Sequence, residues 1–175
     1  MLVAFLAPQP LLFADTLSEL RLSIGSKLFP SMLAADLNIK KKQDGDGVLQ
    51  LFVVYKDFPH IAEIITDKLA VISDIKGMPL RVTPISLKAL VDSDIDPVAG
   101  IFLAEELHAD LAKVIAFARK RKVMVFSPHE GDVEQGAHGG ILVRDHILPY
   151  INSNALQVSG IQLKAFFLKV AEQYE

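Results

Sequence analysis

Apolar residues recur at helical spacing through the first folded segment. Leu17, Leu20, Ile24 and Leu28 share one face, and Met32 and Leu33 extend it. The spacing predicts a helix over 16–36, with Pro30 as a point of bending. Asp44-Gly45-Asp46-Gly47 is a turn signal. It resembles a fragment of a calcium loop, but apolar residues replace the glutamate such a loop needs downstream. Residues 48–55 are almost wholly apolar, as in a strand buried on both faces. Pro59 suits the first turn of a following helix, whose inner face carries Ile61, Ile65, Leu69 and Ile72. After Gly77 and Pro79, a second strand is expected over 80–85 and a short helix over 87–91. A third strand over 98–103 leads to a long helix over 105–122. Its inner positions are Leu107, Leu111, Val114, Ile115 and Ala118. A fourth strand follows over 123–126.

The pattern then changes. Residues 139–144 and 147–152 read as two strands of a hairpin turning at Asp145-His146. Pro149 puts the second strand at a sheet edge, or turns its missing amide to the open side. A short helical piece over 154–159 precedes a final helix over 161–174, with Leu163, Phe166, Phe167 and Val170 on its apolar side. The expected fold is α/β: a single domain with a mainly parallel sheet flanked by helices, a C-terminal antiparallel hairpin and a final helix.

Composition narrows the function. The 175 residues are 51% hydrophobic, enough to fill the core of one domain. A net charge of −3 leaves no electrostatic footprint for nucleic acid. Two dense basic runs, Lys40-Lys41-Lys42 and Arg119-Lys120-Arg121-Lys122, sit at expected helix ends, where cations complement the helix dipole; the other reading is a membrane or partner patch. The absence of cysteine removes disulfides, thiolate metal sites and cysteine nucleophiles. Residues 2–14 carry no charge and are almost wholly apolar, and the run is too short to span a bilayer. It reads as an export signal over 1–14 cleaved before Asp15, although no Lys or Arg precedes it. The mature domain is then 15–175 and its expected location the periplasm.

The order of elements resembles the YfiR-like family. The residues that carry the resemblance are the strand and loop Leu49 to Phe58, Gly77-Met78-Pro79-Leu80, Ser127 followed by Gly139-Gly140, Ile151-Asn152, and Gly160-Ile161. The resemblance spans about residues 17–171. It implies a periplasmic regulator that restrains an inner-membrane signalling enzyme, a diguanylate cyclase or a histidine kinase, by protein contact. The cysteine pairs of some members are absent here. The alternative class is a small-ligand (solute) binding protein of the periplasm.

No catalytic constellation is visible. The five histidines lack His-x-x-x-His spacing, and Ser127 lacks a nucleophile elbow. No catalytic residue, metal or cofactor is therefore assigned, and no turnover is expected. His129 and His138 flank a loop with Glu130, Asp132 and Glu134; these could build a carboxylate–imidazole metal site, but the loop is read as solvated, so that alanine at either histidine should barely affect folding. In parallel α/β sheets, ligands sit beyond the carboxyl ends of the strands. That edge presents Tyr55, Lys56, Asp57, Glu105, Ser127, His129 and Glu130 as candidate ligand or partner contacts. Phe166 and Phe167 are the other candidates. Neighbours on a helix point about 100° apart, so either both lie in a wide buried stripe, or one is core and the other an interface with a partner or a second copy.

Overall fold

The computed structural model describes residues 11–175. Most of the expected export signal, residues 1–10, lies outside the described residues. The first helix, α1 (Leu11–Ala35), runs through Pro30. A 3-10 turn over Ile39–Lys42 leads to β1 (Leu49–Tyr55), α2 (Pro59–Ala70), β2 (Asp74–Ile75), β3 (Met78–Ser86) and α3 (Leu87–Val91). Then come β4 (Gly100–Leu103), α4 (Leu111–Arg121), β5 (Met124–Ser127), β6 (Gly139–Val143), β7 (Ile147–Asn152), α5 (Ser153–Val158), α6 (Ala165–Val170) and β8 (Glu172–Tyr174).

The eight strands form one mixed sheet in the order β2-β3-β1-β4-β5-β6-β7-β8. Strands β3, β1, β4, β5 and β6 are parallel, β6 and β7 form the antiparallel hairpin, and β7 pairs parallel with β8. The sheet is therefore mainly parallel, as expected. Chain order reverses between β1 and β4, which makes that junction the topological switch point.

Strand alternation divides the core into two layers. Leu49, Leu51, Val53, Phe102, Met124 and Phe126 point to one face, where Phe29, Met32 and Leu33 of α1 and Ala62, Ile65 and Leu69 of α2 cover them. Phe52, Val54, Ile101, Leu103 and Val125 point to the other, under Leu87 and Leu90 of α3 and Leu111, Val114, Ile115 and Ala118 of α4. Helix α1 lies close on the sheet. A Cβ on Gly100 would stand 2.7 Å from the Phe29 ring, and one on Gly139 would strike the Met32 sulfur.

Four expectations need correction. The helix expected over 105–122 begins only at Leu111. His108 has a left-handed backbone (φ 48°), which a continuous helix does not allow, and Glu105 is drawn into hydrogen bonds with the loop after β1. The final helix shrinks to Ala165–Val170. Before it, Leu163 bridges Asp36, and the Lys164 amide donates to Ala35; after it, Glu172–Tyr174 pair with β7 instead of continuing the helix. That added strand means β7 is not at the edge, and Pro149 escapes conflict because β8 reaches only Tyr150–Asn152. The hairpin turn holds three residues, since Val143 and Ile147 are the last pair. The two-stranded pairing of β2 with β3 was not anticipated; Lys76 and Gly77, both left-handed, turn it.

Candidate functional site

The carboxyl edge gathers the sequence candidates into two clusters. The first stands at the switch point. Glu105 is buried, and one of its carboxylate oxygens accepts from the backbone amides of Lys56, Asp57 (2.8 Å) and Phe58 (3.3 Å). The loop after β1 is thus an anion cradle filled by the chain's own carboxylate. This places Glu105 as the clamp between β1 and β4, away from solvent.

The clamp presents Lys56 outward. Its ammonium lies 2.9 Å from Asp110, which also takes Lys113 at 2.6 Å. Hydrogen bonds from Lys113 and then Lys56 hold the Asp110 carboxyl down at about 2, and Asp110 in turn raises Lys56. A cavity of about 430 Å³ opens beside this triad, lined by Ser86, Leu87, Val91, Lys88 and Asp92 as well. Lys88 pairs with Asp92 at 2.5 Å, and the Ser86 hydroxyl caps α3 by accepting from Ala89. Two ammonium groups share one carboxylate on one side, with apolar Leu87 and Val91 in the same wall. Tyr55 is not part of it: that side chain is half-buried and packs with the α1 and α2 layer. Asp57 is exposed.

The second cluster follows β5. Ser127 donates to Asp132 at 2.6 Å and accepts from the His129 amide at 3.2 Å. The histidine ring therefore does not contact the serine hydroxyl, and this is no nucleophile–base pair. Burial pushes the Asp132 carboxyl up, opposed by the Ser127 bond. Burial also pushes His129 down to about 4 and keeps its ring neutral. Glu130 is exposed and reaches back to Arg21 of α1 at 3.2 Å, while Arg21 also donates to the Pro128 carbonyl. The cavity here is only about 80 Å³.

The solvated loop expected around His129 and His138 is a correction too. Both side chains are buried, and His138 is fully enclosed. Its Nδ1 accepts from the Val125 amide at 2.9 Å and its Nε2 lies 2.7 Å from the Ser159 hydroxyl. Phe167 is core at 3% exposure, whereas Phe166 is 59% exposed. Sequence reasoning missed Ser86, Lys88, Asp92, Asp110 and Lys113, which come from two separate segments, 86–92 and 110–113. Among the described residues, no group of three His, Asp or Glu side chains is arranged to hold a metal, and no helix is long and apolar enough to cross a membrane.

No protein-family model matches the chain, and no curated protein sequence matches it significantly. Solved structures do resemble it. The ABC domain from Streptococcus pneumoniae in complex with L-Trp aligns with a TM-score of 0.51 and 13% identity, over 81% of this chain and 60% of that one. A conserved domain protein from Vibrio cholerae aligns at 0.53 and 18%, over 77% and 57%. The ligand-free, open form of a substrate binding protein with adhesive properties from Clostridium difficile aligns at 0.53 and 14%, over 73% and 55%. The chain thus spans 60% or less of each of these proteins, and the likeness is one of fold.

Proposed function

We propose that this protein is a binding module for a small carboxylate-bearing molecule, an amino acid in the first instance, seated in the cavity beside Lys56, Asp110 and Lys113. One observation carries the reading. At the carboxyl edge, where ligands of such sheets bind, two lysines share a single aspartate around a cavity of about 430 Å³. That volume is in the range of small-molecule sites. A ligand carboxylate would complete the charge pairing, Asp92 or Asp110 would take an ammonium, and Leu87 and Val91 would receive an apolar side chain. Two of the similar folds belong to proteins described as bound to L-Trp or as substrate binding.

Thermal unfolding with a panel of L-amino acids and dicarboxylic acids tests it. At about 100 times Kd, a true ligand adds roughly 2.7 kcal/mol of stability. Lys56→Met and Lys113→Met should each abolish the rise for that ligand while leaving the unliganded midpoint near wild type, because exposed ion pairs contribute little. A panel without any stabilising member, or a rise that survives both substitutions, sinks the reading.

A second reading is the exported regulator that the YfiR-like resemblance implies, holding an inner-membrane signalling protein or a second copy of itself. Its support is the exposure of Phe166 and Val170, four residues apart on α6 and therefore on one helix face. Phe166→Ser should then weaken association in analytical ultracentrifugation, alone or with a candidate signalling enzyme, without lowering the thermal midpoint. Unchanged association would assign this face to solvent.

A further inference from the structure

The two basic runs, 40–42 and 119–122, are far apart in sequence but meet at the amino edge of the sheet, opposite the cavity described above. They line a cleft of about 310 Å³ that includes Lys41, Lys42, Arg121 and Lys122, with Asp36 and Asp96 as its acidic members. The acidic charge is partly spent. Asp36 is buried and pairs with Lys42 at 2.7 Å. Among the described residues, Lys41 and Lys122 have no ion-pair partner and are exposed.

Arg121 is held ready. Its guanidinium sits 4.1 Å from the centre of the Phe117 ring and donates to the Ser93 carbonyl at 3.1 Å. Among the described residues its ion-pair partner is Asp94, 4.0 Å away and fully exposed, a pairing that solvent weakens. Lys122 occupies the left-handed position that ends α4 (φ 56°), where glycine is the least costly residue. Its side chain passes over Gly160, whose missing Cβ would stand 3.8 Å from the lysine Cε. The fold thus carries a lysine where its backbone favours glycine, and directs that lysine along the cleft.

We infer that this amino-edge cleft binds a compact multivalent anion, a phosphate or phosphate ester, through Arg121, Lys122 and Lys41. Its cations converge from two elements onto one space of about 310 Å³. Asp96 remains to accept a hydroxyl of an esterified ligand. The phosphate group could belong to a free metabolite or to a lipid headgroup.

Titration calorimetry of the full chain with inorganic pyrophosphate tests the site. Lys122→Gly removes the ammonium while relieving the backbone, so it should raise the thermal midpoint and yet weaken pyrophosphate at least roughly tenfold, as loss of one charged hydrogen bond does. Arg121→Gln should weaken it comparably. Lys120→Gln is the control, since Lys120 belongs to the same basic run but does not line the cleft. Co-sedimentation with phosphatidylglycerol vesicles, against phosphatidylcholine alone, separates the two sources: vesicle binding lost in Lys122→Gly indicates a headgroup, and pyrophosphate binding without it a soluble ligand. No binding to either probe, or equal weakening by Lys120→Gln, overturns the proposal.

Discussion

Replacing His138 with alanine is expected to cost roughly 3–5 kcal/mol, measured by urea unfolding at neutral pH. The ring is fully enclosed, so its removal leaves a cavity. It also strands a backbone amide. Where β6 begins, the His138 main chain donates to the Val125 carbonyl, and its side chain accepts from the Val125 amide. One residue therefore satisfies both polar groups of Val125. Because Nδ1 accepts, the proton of the neutral ring is on Nε2 and is donated to Ser159. A second proton would turn Nδ1 toward the Val125 N–H as a rival donor, in a dry site. Burial accordingly pushes His138 down to about 3 from 6.5. The sign follows: a depressed histidine gives stability that is present above 6.5 and lost as pH falls toward the folded value. At about pH 5 the loss is roughly 2 kcal/mol. His129 acts in the same direction, and Asp132, with its carboxyl raised, acts in the opposite one. His138→Gln retains an acceptor and a donor but does not titrate. The fall in stability between neutral pH and about pH 5 should be smaller in that variant by roughly 2 kcal/mol. The same pH dependence in both proteins would show that His138 is not held neutral.

This burial marks where sequence reading stops. Apolar runs located β1, β4 and β5, because strands covered on both faces need apolar residues at nearly every position. Pro59 and the left-handed glycines located helix starts and turns. Two of the glycines and the asparagine singled out in the sequence have structural roles. Gly77 and Gly160 take positive φ, and Asn152 caps α5 through Ala155 while donating to Val133. Glu105 was visible as a polar group at a strand end, but a periodic segment gives no sign that its carboxylate will be captured by amides some 48 residues earlier. The C-terminal strand β8 was hidden for the same reason: its pairing with β7 outweighs local helical spacing. Lys56 and Asp57 were legible because they follow β1 directly. Asp110 and Lys113 were not, since only the assembled fold brings the start of α4 against the β1 loop.

Gly140→Ala should be the most damaging change of a single methyl group, at roughly 3 kcal/mol. Gly140 does not have a positive φ, so the penalty is steric and not conformational. Its Cβ would overlap the Ser127 carbonyl oxygen and lie 2.7 Å from a Val133 methyl. Ser127 and Gly140 are paired across β5 and β6, so the carbonyl can retreat only by parting the two strands. Separation there also pulls Ser127 from Asp132 and loosens the β5 end of the carboxyl edge. Gly139→Ala offers a contrast one residue away. Its new methyl meets the Met32 thioether, the far end of a flexible side chain, and then the Phe126 ring at 3.5 Å. Methionine can adopt another rotamer, so the cost should be clearly smaller. Gly45→Ala meets nothing within 4 Å and should leave stability unchanged. The three variants, compared by urea midpoint, rank by what the methyl group touches: backbone, mobile side chain, open space. Equal midpoints for Gly140→Ala and Gly45→Ala would mean that β5 and β6 do not approach as closely as this packing requires.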